Sequence, residues 1–170
     1  MLKLLGAALM VGGGAWVGLN AAGELTRRAK ALDAWCGALS LMENELTFRM
    51  SSMPELAQRL SRSARAPARE VFPNLQKGLE RLGENSFEEL WREALTSHPG
   101  GLDGEELDIL KALGAVLGRY GWADQCRSLE SARLALAERA TRVREELRRK
   151  GKAYAATGVA LGAFVTILLL

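Results

Sequence analysis

The sequence predicts an all-α protein, in which an antiparallel bundle of about six helices lies between two transmembrane helices. The 170-residue chain has no charged residue in 4–23 and none in 153–170. At about 1.5 Å of rise per residue, a helix over either run nearly matches the ~30 Å hydrocarbon core of a bilayer. Between the runs, apolar residues recur at three- and four-residue spacing, and the alternation typical of strands is missing.

The first uncharged run, 4–23, could instead be a cleaved signal peptide, because small residues close it. Signal peptides carry their positive charge before the apolar stretch. Here Lys3 precedes the run, whereas Arg27, Arg28 and Lys30 follow it, so we expect a retained span. The second run, 153–170, could be a buried core helix, but its uncharged length is more typical of a membrane span.

Basic residues flank both spans on the side of the middle segment, which fixes the expected orientation. The positive-inside rule places residues 24–152 in the cytoplasm and residues 1–3 outside it. A disulfide between Cys36 and Cys126 is then disfavoured. The basic stretch before the second span could contact lipid or nucleic acid, but its interleaved carboxylates disfavour nucleic acid. The expected topology anchors are Arg27, Arg28, Lys30, Arg148, Arg149, Lys150 and Lys152.

The first helix of the bundle is predicted over residues 27–50, continuing from the first span. A second helix begins at Pro54 and ends near residue 63. A third covers about 68–82, is irregular near Pro73, and is ended by Gly83. The apolar stripe of the first helix consists of Leu32, Trp35, Cys36, Leu39, Met42, Leu46 and Met50.

Two further helices begin at predicted capping boxes. Ser86 with Glu89 begins the helix that contains Trp91, and Asp103 with Glu106 begins the next one. A last long helix starts near residue 124 and runs into the second span. Short loops between amphipathic helices indicate an antiparallel bundle, and we expect its first and last helices to lie side by side. The last helix has the stripe Leu129, Ala132, Leu136, Ala140, Val143 and Leu147.

Three residues are structural or interaction candidates. Glu43 falls on the apolar stripe between Leu39 and Leu46, so its carboxylate requires a partner unless it reaches solvent at the stripe edge. Glu45 points about 160° away from Glu43, which predicts a surface charge. Trp91 is predicted to be a core residue rather than a ligand-binding one.

Each span contains a GxxxG pattern, formed by Gly14 and Gly18 in the first and by Gly158 and Gly162 in the second. Small residues let helix backbones approach closely in lipid. The pattern predicts packing between spans, within one chain or between copies. The alternative is that these glycines are only tolerated.

Enzymatic motifs are missing from the sequence. His98, Cys36 and Cys126 lack zinc-ligand spacing, and the triple glycine of the first span is not a phosphate-binding loop. We therefore predict no catalytic, cofactor-binding or metal-binding residues. A membrane-tethered enzyme is the alternative of a different class.

Several short segments resemble one family in their order and spacing. The chain resembles the stage III sporulation protein AB family over essentially its whole length, with Phe48 where tyrosine is expected. The matching segments are Met1–Ala7, Met42–Leu46, Met53–Leu56, Phe87–Leu95 with its Trp91, Leu113-Gly114, Leu117-Gly118, Asp124-Gln125 and Gly158–Leu170.

The resemblance implies a non-enzymatic, integral membrane platform subunit of a sporulation-specific, secretion-like channel between mother cell and forespore. It implies a location in the mother-cell membrane around the forespore and a cytoplasmic domain similar to that of type II secretion platform proteins. The implied partners are a secretion-type ATPase of the same operon, ring-forming membrane proteins of the channel and the lipid bilayer. A homo-oligomer is compatible with the glycine patterns. The alternative is an F-like inner-membrane platform subunit of another type II secretion or type IV pilus system.

Overall fold

The structure, a computed structural model, describes the backbone of residues 2–117 and 119–169 and the side chains of residues 20, 22–117 and 119–150. The described backbone is helical and contains no strand, which confirms the predicted all-α class and the helical bundle. The helices are α1 (Leu2–Asn44), α2 (Met53–Ser63), α3 (Val71–Gly78), α4 (Phe87–Ser97), α5 (Gly104–Leu113) and α6 (Trp122–Leu169).

The chain divides into two compact units. We call Arg28–Ala140 the bundle unit, and Met1–Arg27 with Thr141–Leu170 the terminal unit. In the terminal unit, described side chains pair along their own helices: Arg27 with Glu24, and Lys150 with Glu146 at 2.7 Å.

The backbone of residues 4–23 and 153–169 is helical, as part of α1 and α6, and the membrane crossing itself stays a prediction. Among residues whose side chains are described, no helix is both long and apolar enough to cross a membrane. Residues 4–23 and 153–170 lie outside that set, apart from Asn20, Ala22 and Gly23.

Capping boxes begin three helices of the bundle unit. The predicted boxes at Ser86 and Asp103 are confirmed: the Glu89 amide donates to Ser86 Oγ at 3.3 Å, and the Glu106 amide donates to Asp103 Oδ1 at 2.8 Å. A box that we did not predict begins α2, where the Ser52 amide donates to Glu55 Oε2 at 3.1 Å. Hydrogen bonds from the cap backbone lower the pKa of the Glu55 and Glu89 carboxyls, as expected for carboxylates that accept amide hydrogen bonds.

Within the bundle unit, α1 and α6 pack side by side in opposite directions. Cys36 Sγ donates to the carbonyl oxygen of Arg133, and Thr47, just past the end of α1, contacts Cys126. Residue numbers therefore rise along one helix as they fall along the other, as we predicted. The stripes of both helices are buried at their centres, at Leu32, Leu39, Leu129 and Leu136.

The end of the first helix differs from the prediction. The chain after Asn44 forms a π-helical turn, Glu45–Arg49, and Met50 follows with φ +47°. A π turn inserts one residue relative to an α-helix, so it rotates the following side chains off the stripe. The prediction that Met50 lies on the buried stripe is therefore wrong, and its side chain is exposed.

The predicted third helix is divided rather than continuous. Short 3₁₀ segments, Ala68–Glu70 and Leu79–Arg81, flank α3. Pro73 lies in the first turn of α3, where an amide has no partner within the helix, so proline fits there without a break. The irregularities are therefore at the two ends of α3 and not at Pro73.

Aromatic side chains form the centre of the bundle unit. Trp91 of α4 packs edge-on against Trp35 of α1, with ring centroids 6.3 Å apart, and Phe72 of α3 lies 6.5 Å from Trp91. Phe87 stacks on the same indole at 6.3 Å, and Trp91 Nε1 donates to the carbonyl oxygen of Leu110 at 2.7 Å. Trp91 is thus a buried core residue, as predicted, with its polar atom satisfied.

Gly114 is required because α4 passes directly beside it. A Cβ atom at Gly114 would lie 2.7 Å from Trp91 Cδ1 and 3.3 Å from Glu88 Cα. Trp91 also packs against three other rings, so we expect Gly114→Ala to lower the free energy of unfolding by about 1–3 kcal/mol through overpacking. Chemical denaturation of purified segment 24–152 measures this loss.

The matched control is Gly37→Ala, on the exposed face of α1, where an added Cβ would meet nothing within 4 Å. Alanine favours helix over glycine by up to about 1 kcal/mol, so this variant should be equally stable or more stable. Equal stability of the Gly114→Ala variant and wild type would contradict the close approach of α4.

Candidate functional site

The cysteines and the histidine of the bundle unit do not come together. Within the described residues, no group of three or more His, Cys, Asp or Glu side chains could hold a metal ion. Cys36 contacts α6 and Cys126 Sγ lies 3.5 Å from Thr47 Oγ1. His98 is half-buried, with its Nδ1 2.9 Å from Asn74 Nδ2. These side chains therefore have separate protein partners in different parts of the unit.

Among the residues with described side chains, the least exposed charged group belongs to an ion cluster at the start of α5. The Glu106 side chain is 0% exposed. Arg28 of α1 donates to Glu106 Oε1 from Nε at 2.9 Å and from its terminal nitrogen at 2.7 Å, and it also contacts the Asp103 carboxylate. The Asp103 amide donates to Glu106 Oε2 at 2.9 Å. Both carboxylate oxygens of Glu106 are therefore satisfied, which offsets the cost of burying the charge.

A second arginine reaches the same helix start from α6. Arg139 donates to Glu105 Oε2 at 2.7 Å. That hydrogen bond, together with the charges of Glu105, Asp103 and Glu106, raises the pKa of the Arg139 guanidinium. Carboxylates in a first helical turn interact favourably with the helix dipole. The start of α5 is therefore tied to both α1 and α6.

Loss of the Glu106 charge tests the cluster. Glu106→Gln removes the buried one of the two carboxylates that Arg28 contacts, so we expect the free energy of unfolding to fall by about 1–3 kcal/mol. Denaturant melts of segment 24–152 at neutral pH provide the measurement. The control is Glu105→Gln, because the Glu105 side chain is 78% exposed and an exposed pair contributes about 0–1 kcal/mol. If both variants lost the same free energy of unfolding, the buried Glu106 carboxylate would not be a specific source of stability.

Glu45, and not Glu43, is the less exposed of the two acids. Glu43 faces α6 as predicted, but its carboxylate lies 4.0 Å from Arg133 Nε, and that buried nitrogen has no hydrogen-bond partner. The prediction that Glu45 is a surface charge is wrong. Its side chain is 18% exposed, lies 3.3 Å from Arg59 Nε, and accepts a hydrogen bond from Ser51 at 3.1 Å. After the π turn, α2 packs beside Glu45 through Arg59. A continuous helix would have left Glu45 on the surface, which is why the spacing misled the prediction.

The expected topology anchors are mostly on the surface. Arg28 is the exception, because it belongs to the α5 ion cluster. The anchoring role stays a prediction for all of them. Arg27, Lys30, Arg148 and Arg149 are exposed, and Lys150 is half-buried. Gly14, Gly18, Gly158, Gly162 and Lys152 lie outside the residues with described side chains.

One end of the bundle unit exposes four large apolar or aromatic residues, which we call the apical patch: Phe48, Met50, Tyr120 and Trp122. Phe48 and Met50 are 80% and 83% exposed, and the other two are more than half exposed. Trp122 Nε1 donates to the carbonyl oxygen of Leu46 at 3.1 Å, which brings the two chain segments together. Leu46 lies just past the end of α1, ~27 Å from Arg28 at the rise of a helix. The patch therefore lies at the opposite end of the unit from the α5 ion cluster.

The backbone beneath the apical patch is unusual. It contains the π turn and Met50, a non-glycine residue in the left-handed region. Both features occur often at functional sites. Sequence reasoning missed the patch because it placed Met50 on the buried stripe. The sequence feature that could have indicated the patch is the pair Phe48 and Met50, just before Ser51-Ser52.

Three comparisons agree on what the chain is similar to. The family model described as Stage III sporulation protein AB matches residues 3–170. Stage III sporulation protein AB of Bacillus subtilis (strain 168) is 25% identical over 134 residues, which cover 78% of each chain. A solved structure of a Stage III sporulation protein AB superposes with a TM-score of 0.64 at 18% identity, over 72% of this chain and 97% of that one. The last comparison supports the bundle fold.

Proposed function

This chain belongs to the stage III sporulation protein AB family, and we propose that it is a non-enzymatic, membrane-embedded platform subunit of a secretion-like complex made in sporulation. The observation that carries the proposal is a family match over residues 3–170, on a helical bundle whose buried polar groups serve its own packing. The family match favours this role over a platform subunit of another secretion or pilus system.

In the proposed arrangement two helices, residues 4–23 and 153–170, cross the mother-cell membrane around the forespore, and the residues between them face the cytoplasm. The uncharged length of both runs and the basic residues that flank them support this arrangement. The GxxxG patterns at Gly14, Gly18, Gly158 and Gly162 would let the spans pack closely with each other or with a second copy.

The proposed task of the bundle is to hold a secretion-type ATPase of the same operon at the membrane, beside the ring-forming proteins of the channel. Two features support a binding role. Ionic and aromatic contacts fix the bundle internally, and large apolar side chains remain on its surface. Exposed apolar patches of this kind are typical of binding sites.

Cysteine labelling tests the topology. A cysteine introduced by Gln58→Cys, on the exposed face of α2, should react with a membrane-impermeant maleimide only after permeabilisation. When the protein is produced in non-sporulating cells, so that the plasma membrane holds it, a cysteine appended after Leu170 should face the medium and react before permeabilisation. The native Cys36 and Cys126 are half-buried, so their background should be low. Reaction at position 58 in intact cells would contradict a cytoplasmic bundle.

Direct binding tests the docking role. The full-length protein in lipid nanodiscs should bind the purified ATPase of the same operon saturably, whereas empty nanodiscs should not. Biolayer interferometry measures the dissociation constant, and a secretion ATPase from an unrelated system serves as the specificity control. Specific docking would be contradicted if both ATPases bound equally well, or if neither of them bound.

A further inference from the structure

We infer that the apical patch is the surface through which the bundle binds its cytoplasmic protein partner, and that the partner presents an apolar groove bordered by carboxylates. The inference rests on the proposed docking function and assigns it a surface and a chemistry. It is carried by the exposure, composition and backbone geometry of Phe48, Met50, Tyr120 and Trp122.

The exposure of these side chains is unusual for their residue types. Phe72, Trp35 and Trp91 of the same unit are almost fully buried, whereas the Phe48 side chain is 80% exposed. Isolated exposed apolar residues are normal on protein surfaces, and Leu134 on α6 is one example. Several of them together, next to a turn, are typical of an interaction site.

The composition of the patch favours a protein partner. Tyr, Trp, Phe, Met and Arg are the residues enriched at protein–protein interfaces. Arg49 and Arg119 are exposed in the same two segments, and Arg49 also lies 3.7 Å from a Glu45 carboxylate oxygen. Arginine binds carboxylates by charge-assisted hydrogen bonds, so acidic side chains around an apolar groove would complement this surface.

The backbone of the patch is already fixed before any partner binds. Glu45 holds the turn through Ser51 and Arg59, and the Trp122 indole holds α6 against the carbonyl oxygen of Leu46. Met50 is thereby kept in its left-handed conformation beside Phe48. A surface that needs little ordering on association loses less binding free energy.

The charge around the patch disfavours a lipid surface as the occupant. Binding to anionic lipid depends on a cluster of basic residues. Here carboxylates at Glu45, Glu55 and Asp124 lie among the basic residues of the neighbouring segments, and Glu45 and Asp124 form ion pairs with them.

The experiment uses the full-length protein in nanodiscs with the purified ATPase of the same operon. Phe48→Ser and Met50→Asn each remove exposed apolar surface, and asparagine tolerates the left-handed backbone. Each variant should raise the dissociation constant about 10-fold or more. Thermal unfolding should be unchanged, because neither side chain is buried. Leu134→Ser, the matched exposed control, should leave the dissociation constant unchanged.

Photocrosslinking separates the possible occupants. A benzophenone amino acid at position 48 should crosslink to the ATPase, and the same group at position 134 should not. Crosslinks from position 48 mainly to lipid or to a second copy would overturn the inference. If the ATPase binds wild type and patch variants equally, the docking function stands and the apical patch is not its surface. If the ATPase does not bind wild type, the docking proposal fails and the inference fails with it.

Discussion

The indole of Trp91 is the point where α1, α3, α4 and α5 meet. It contacts the rings of Trp35, Phe72 and Phe87, and its Nε1–H is satisfied by the carbonyl oxygen of Leu110. A large aromatic side chain at a helix crossing requires a small one opposite it, which is why Gly114 lies against the ring. The register of α4 against α5 follows from this fit, because a shift of one residue would separate the indole from its acceptor.

The ion cluster at the start of α5 also orients this helix. Glu106 combines a capping role with a buried ion pair, so one carboxylate both begins α5 and attaches it to Arg28 of α1. Arg139 of α6 reaches the neighbouring Glu105. Hydrophobic contacts alone would allow these helices to slide, whereas directional charge-assisted bonds fix their relative positions.

The two ends of the bundle unit therefore differ in chemistry. One end is closed by ion pairs among α1, α5 and α6, and the other exposes the apical patch over a turn with unusual backbone. A rigid helical body with an apolar surface at one end is well suited to holding a partner, because little conformational entropy is lost on binding. This division fits the platform role that we propose for a member of this family of sporulation proteins.

The sequence by itself determined the helical class, the approximate limits of the helices, the boxes at Ser86 and Asp103, and the core position of Trp91. These features follow from periodicity and from contacts between residues a few positions apart, and both can be read directly from the sequence. Only the tertiary structure decided that Glu106 is buried against Arg28, that Glu45 pairs with Arg59 of α2, and that Met50 faces solvent. Each of those outcomes depends on residues remote in the chain, or on one π turn that rotates the side chains after it, and helical spacing carries no information about either.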